Sequence, residues 1–358
     1  MNKRPFCSII PPHMLKAIAR NGAPHQQSCA WHTLTFSEQL RGQRLALTPL
    51  ASLAATATGQ KRRTIYDAKK QWRLPGALVR GEGDSRSKDV AVNEAYNGSG
   101  VVYDLFKRVF GRNSLDDKGL RLDASVHYGR DYDNAFWNGR QMVYGDGDGE
   151  LFQRFTKALD VIGHELSHGI IQFEADLIYQ DEPGALNESF ADVFGSLVKQ
   201  YRKRQKAEKA DWLIGAGLFT RRVKGKALRS LKAPGTAYDD PILGQDPQPA
   251  HMKDYVKTDE DNGGVHVNSG IPNKAFYEVA IRLGGYAWEK TGRIWYVALT
   301  DRLSPEAGFH EAAQATFAAA GELFGSRGEE QEAVREGWEA VGMKIKSGRS
   351  RGRRRSRS

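Results

Sequence analysis

His164-Glu165-Leu166-Ser167-His168 reads His-Glu-x-x-His within a segment that carries a helical pattern. From Lys157 to Phe173 the apolar residues Ala158, Leu159, Val161, Ile162, Leu166, Ile170 and Ile171 follow a period nearer 3.6 than 2, and no proline interrupts them. Residues four apart on a helix share a face, so the two imidazoles can converge on one metal ion. Glu165 then stands beside the metal rather than on it, where a general base for an attacking water is needed.

A five-residue pattern with three fixed positions also arises by chance, and paired histidines can be ordinary core residues. A third candidate ligand makes the difference. Glu188 lies in Gly184-Ala185-Leu186-Asn187-Glu188-Ser189-Phe190-Ala191-Asp192, read as a second helix that begins after a break at Pro183-Gly184. Two histidines and one carboxylate leave a tetrahedral zinc one open position, the pattern of a catalytic rather than a structural site. Asp192, one turn beyond Glu188, is placed to accept the second ring N–H of a ligating histidine.

Length and composition frame this site. With 358 residues, 40% of them hydrophobic, and seven tryptophans, the chain has room for two cored domains. It carries no apolar run long enough to span a membrane. The N-terminal apolar stretch is cut by Pro11-Pro12-His13, so no signal-peptide core is read there; cytoplasmic synthesis is expected, with leaderless release left open. Two cysteines make no disulfide framework. Of the net charge of +10, eight positive charges fall in residues 344–358, which contain no acid. That Arg/Ser/Gly-rich tail is expected to be disordered and to meet anionic surfaces or nucleic acid only non-specifically.

The pattern divides the chain into a compact segment 1–44 with a short helix around Met14–Ala19, a cleavable linker 45–62, a β-rich domain 63–175 ending in the metal helix, a mainly helical domain 176–343, and the tail 344–358. Strand-like pieces include Ala124–Tyr128 and Gln141–Tyr144, while Glu311–Phe324 and Glu329–Val341 read as helices. Asp146-Gly147-Asp148-Gly149 lacks the later ligands of a calcium loop and reads as a tight turn. The expected class is α+β, two domains with the metal helix at their junction. Asp261-Asn262-Gly263-Gly264-Val265-His266 adds a glycine-rich turn that can deliver a histidine into the cleft, with Asp261 near enough to orient it.

Together these blocks, with Tyr66-Asp67-Ala68-Lys69, Leu74-Pro75-Gly76, Asn134-Ala135-Phe136-Trp137-Asn138-Gly139 and Met142-Val143-Tyr144-Gly145, resemble the thermolysin family of metallopeptidases from about Arg63 to about Gly342. Ile9-Ile10-Pro11-Pro12-His13-Met14-Leu15 and His25-Gln26-Gln27-Ser28-Cys29-Ala30 resemble the short propeptide of its protealysin-like branch. The resemblance implies a zinc endopeptidase made as a self-processed precursor, with its own propeptide as intramolecular inhibitor and peptides or proteins as substrates. It implies zinc on His164, His168 and Glu188, with Glu165 as the base. His266, oriented by Asp261, and Tyr179 would stabilise the oxyanion. Arg229 would grip a substrate carbonyl, Asn134 and Ala135 the substrate backbone, and Asn187 and Asp192 the ligating histidines. Phe155, Val161 and Leu228 would form an apolar pocket, so cleavage on the amino side of bulky apolar residues is expected.

One departure concerns calcium. The family's paired calcium site needs carboxylates where this chain has Lys199, Leu213 and Ala216 beside Asp160 and Asp211, so no double site is expected, and a single Ca2+ elsewhere is left open. A second idea places the Cys29 thiolate on the zinc of the precursor, against the plainer reading of a small buried side chain. A competing function class is a catalytically silent peptidase fold that binds partners through its basic tail. Retention of Glu165, Tyr179 and His266 together argues against it.

Overall fold

The computed structural model describes residues 7–44 and 59–345; positions 45–58 of the expected linker and 346–358 of the expected tail lie outside the described residues. The chain opens with strand β1 (Cys7–Ser8) and two helices, α1 (Pro12–Asn21) and α2 (Pro24–Arg44). Pro12 opens α1, where its fixed φ suits a helix and its missing N–H costs nothing. Met14, Leu15 and Ile18 form the buried face of α1, and the Gly22 N–H closes it on the Ile18 carbonyl at 2.9 Å.

The first catalytic domain follows with β2 (Arg63–Asp67), β3 (Ala77–Arg80), α3 (Val90–Phe110), β4 (Leu122–Val126), β5 (Ala135–Trp137), β6 (Met142–Tyr144) and α4 (Leu159–Phe173). Its sheet has the order β1-β5-β6-β4-β2-β3. Strands β4 and β2 and strands β4 and β6 run parallel, whereas β5 pairs antiparallel with β6. Strand β1 pairs antiparallel with β5, Cys7 opposite Trp137 and Ser8 opposite Phe136, so the N-terminal segment completes an edge that β5 would otherwise expose.

Helix α3 lies within the stretch read as β-rich and adds a long helix that the strand-like pieces did not announce. Its Asn93, Asn97, Gly98, Ser99 and Gly100 have loop-like composition, yet the helix runs 21 residues. Asp89 caps it, accepting from the N–H groups of Ala91 and Val92. A Cβ at Gly98 would collide with Ile162 of α4, so this glycine serves close packing of two helices rather than a turn. Tertiary contact here overrides propensity.

The second domain contains α5 (Asp181–Lys203), short antiparallel pairs β7 (Leu213–Ile214) with β8 (Arg229–Ser230) and β9 (Asp239–Asp240) with β10 (Gly244–Gln245), then α6 (Asp261–Asn268), α7 (Gly270–Leu283), α8 (Thr291–Asp301), α9 (Phe309–Phe324) and α10 (Glu329–Glu339). Pro183-Gly184 do not break the chain as expected. Helix α5 starts at Asp181, two residues before Pro183, because a first-turn proline needs no N–H partner inside the helix. Trp295 of α8 stacks on Trp338 of α10 with ring centroids 6.3 Å apart, both rings buried. Among the described residues no helix is long and apolar enough to cross a membrane.

A charged link joins the cap of α3 to the turn after β6. His127 Nδ1 lies 2.8 Å from Asp146 and its Nε2 lies 2.8 Å from Asp89. Hydrogen bonding to Asp146 and then to Asp89, against the opposing effect of burial, raises the imidazole to about 9. A histidine raised on folding stabilises fully below its unfolded value of about 6.5 and loses that contribution as pH climbs to about 9. Replacing His127 with glutamine should therefore remove about 2 kcal/mol at pH 6 and little at pH 10. Urea unfolding of both chains at the two pH values checks this, and an equal deficit at both would refute it.

Candidate active site

The metal helix and its partner meet at two glycines. A Cβ on Gly163 would lie 2.9 Å from the Gly195 Cα, and one on Gly195 would lie 3.0 Å from the His164 backbone nitrogen. Helices α4 and α5 can therefore approach backbone to backbone, which brings residues 164–168 against residues 187–192. His164 Nε2 and His168 Nε2 lie 3.0 Å apart, and the Glu188 carboxylate is 3.4 Å from the first and 3.5 Å from the second. All three side chains are buried.

The outer ring nitrogens of the two histidines are held. His164 Nδ1 lies 2.8 Å from Asp192 Oδ1, and His168 Nδ1 lies 2.8 Å from the amide oxygen of Asn187, whose own NH2 donates to the Leu177 carbonyl. With protons on both Nδ1 atoms, two Nε2 lone pairs and a carboxylate face one another in a dry pocket. Such a set repels itself unless a cation lies within it, and Glu188 Oε2 has no hydrogen-bond donor. A proton on His164 can serve in part. Burial opposes that proton, but Asp192 and Glu188 raise His164 to about 9, while burial drives His168 down to about 3. The donor set fits zinc: two nitrogens, one carboxylate oxygen, and second-nitrogen partners that fix each ring.

Around this cluster stand the groups that could work on a carbonyl. Glu165 is buried, its Oε2 accepting the Trp137 N–H at 3.0 Å and its Oε1 without a partner. Burial, aided by the neighbouring Glu188, pushes its carboxyl up to about 8. His266 comes from α6, where Asn262, Gly263 and Gly264 all take positive φ and turn the chain sharply before the histidine. Asp261 accepts from both the backbone N–H (3.0 Å) and Nδ1 (2.8 Å) of His266. Tyr179 donates its hydroxyl to Glu188, and the same oxygen lies 3.3 Å from His266 Nε2.

Arg229 is the counter-ion beneath the cluster. Its Nε and Nη2 each donate to Asp192 at 2.8 Å. Burial alone would raise the Asp192 carboxyl, but Arg229 and His164 hold it down to about 2. Asn273 also donates to Asp192 at 2.9 Å and accepts from Ser189 at 2.8 Å. Sequence reading missed Asn273; it lies on α7, and only its helix packing brings it here.

The cleft holds chain. The Ile9 N–H donates to the Ala135 carbonyl at 3.1 Å, the Ile10 N–H to Asn134 Oδ1 at 3.0 Å, and Arg229 Nη1 to the Ile9 carbonyl at 3.0 Å. His266 Nε2 lies 3.0 Å from the Ser8 carbonyl. Asn134, Ala135, Arg229 and His266 thus all touch one extended segment. Phe155, Val161 and Leu228 are buried in the same hydrophobic core as Ile9 and Ile10.

Two further side chains have definite positions. Cys29 is not at the metal cluster: its Sγ lies 3.7 Å from His25 Nε2, and burial together with Asp133 and Asp131 keeps it a thiol, with a pKa of about 12. The cysteine at the cluster is Cys7. Its place in a pairing strand, two residues before Ile9-Ile10, was the signal available. Lys199, for its part, sits buried with its ammonium 2.8 Å from Asp160, 2.7 Å from Asp211 and 2.5 Å from the Leu213 carbonyl, so a protein cation occupies this acidic corner.

A cleft that pairs an extended backbone along a strand edge, and holds one of its carbonyls on a histidine beside a three-donor metal cluster, is that of a metallopeptidase. The comparisons agree. Residues 43–172 match the thermolysin metallopeptidase catalytic domain and residues 175–343 its alpha-helical domain. The chain is 53% identical over 348 residues to the extracellular metalloprotease of Pectobacterium carotovorum subsp. carotovorum, covering 97% of this chain and 99% of that one. It is 42% identical over 288 residues to the thermolysin of Alicyclobacillus acidocaldarius subsp. acidocaldarius, covering 78% of this chain and 50% of that one. The solved precursor of protealysin, a metalloproteinase from Serratia proteamaculans, superposes with a TM-score of 0.87 at 54% identity, covering 94% of this chain and 99% of that one. The chain belongs to the thermolysin family of zinc metalloendopeptidases, in its protealysin-like branch with a short propeptide. None of these relatives supports the binding-only reading.

Proposed function

We propose that the chain hydrolyses peptide bonds on the amino side of bulky apolar residues and matures by removing its own N-terminal segment. The observation that carries the specificity is Ile9: it follows the carbonyl held by His266, it is fully buried, and it shares a core with Phe155, Val161 and Leu228. A substrate laid in the same register would place a large apolar side chain there. Strand addition along β5 supplies backbone affinity, and the buried pocket supplies selectivity.

Zinc, held by His164, His168 and Glu188, would polarise the scissile carbonyl and acidify an attacking water. Glu165 takes the proton of that water on Oε1, since Oε2 is engaged by Trp137, and later passes it to the leaving amine. His266, held by Asp261, and the Tyr179 hydroxyl donate to the oxygen on which charge develops. Arg229 orients the next carbonyl while neutralising Asp192. Lys199 takes the place of calcium at Asp160 and Asp211, so activity needs no added calcium at that corner.

Chelating the metal from the mature chain should abolish casein cleavage, and stoichiometric zinc should restore it. A peptide-library profile should then show Leu or Phe immediately after the cut bond. Enrichment of charged residues at that position would sink the specificity.

A further inference from the structure

We infer that Cys7 is the fourth zinc ligand of the precursor, its thiolate sulfur occupying the coordination position that hydrolysis requires. The inference rests on the zinc reading of His164, His168 and Glu188. Three observations carry it. Cys7 Sγ, a His168 ring nitrogen and a Glu188 carboxylate oxygen lie within 4.8 Å of one another, all in buried residues. Glu188 Oε2 in the same pocket is buried without a hydrogen-bond donor, which marks a place for a cation. Finally, Cys7 is not placed by chance, since pairing with Trp137 fixes β1 in register and Tyr179 and Val265 pack beside the side chain.

The register explains why a sulfur is needed there. The Ser8 carbonyl rests on His266, the Ile9 carbonyl on Arg229, and the N–H groups of Ile9 and Ile10 on Ala135 and Asn134. The Ser8–Ile9 bond therefore lies in the cleft as a substrate bond would, between the groups that hold the carbonyls of its two residues. A strand bound this way is a substrate unless the water position is filled. On coordination the thiol proton would be released to solvent and a sulfur lone pair would bind the metal, adding one sulfur to a donor set of two nitrogens and one oxygen.

Zinc K-edge absorption spectroscopy of the full chain tests this, with Glu165→Gln included to keep the precursor uncut. Metal content is measured alongside. The expected spectrum has one sulfur neighbour at about 2.3 Å beside nitrogen and oxygen neighbours. That shell should vanish in Cys7→Ser and persist in Cys29→Ser. Stoichiometric zinc with only nitrogen and oxygen neighbours, or a sulfur shell that survives Cys7→Ser, overturns the Cys7 assignment alone. A full chain that binds no zinc overturns the metal-site reading and the Cys7 assignment with it.

Discussion

The full chain carrying Glu165→Gln should retain zinc, remain uncut, and lose peptide hydrolysis by about 10²–10⁴-fold or more, the range a positioned general base contributes. The structure separates this loss from misfolding. Glutamine is nearly isosteric, and its amide oxygen can still accept the Trp137 N–H that Glu165 Oε2 now takes. Removing a buried carboxylate beside Glu188 also relieves a like-charge contact that helps raise Glu165. Stability should therefore hold or rise while catalysis falls. Steady-state hydrolysis of a fluorogenic peptide and the mass of the purified chain read the two effects. Activity within tenfold of the parent would remove Glu165 from the role of base.

Lys199→Met should cost about 3 kcal/mol of stability, the scale set by leaving a buried carboxylate without its counter-ion. The Lys199 side chain is 7% exposed and Asp160 is 2% exposed, so water cannot replace the ammonium at Asp160. Asp211 is 35% exposed and can be rehydrated, which keeps the loss toward the lower end. The same ammonium satisfies the Leu213 carbonyl that opens β7, so loosening should spread along the β7–β8 pair toward Arg229. Urea unfolding in the Glu165→Gln background, which prevents self-digestion, gives the number. A change below about 1 kcal/mol would show that the pair is worth no more than a surface ion pair.

Much of the site was legible because helical spacing converts sequence into geometry. His164 and His168 share a face at i and i+4, and Asn187, Glu188 and Asp192 sit on a second helix with the same periodicity. Asp261 to His266 was legible for a different reason, since adjacent glycines announce a turn that few other residues allow. Other features were opaque for physical reasons. Helix α3 looks like loop in composition, yet its Gly98 answers to Ile162 across the helix contact. The start of α5 was misplaced because proline in a first turn and proline as a breaker look alike in sequence. Cys29 drew attention inside a motif, whereas Cys7 acquires meaning only when β1 pairs with β5.

The sequence by itself determined the candidate ligand types, their helical spacing, the candidate base beside them and the family, since these depend on neighbours within a few residues or on ordered motifs. Tertiary structure decided which distant groups meet. The two-glycine crossing of α4 and α5 set Glu188 against the histidines, α7 delivered Asn273 to Asp192, and strand pairing carried Cys7 to the metal cluster instead of Cys29. Those meetings depend on close packing and register between segments far apart in the chain, and local pattern encodes neither.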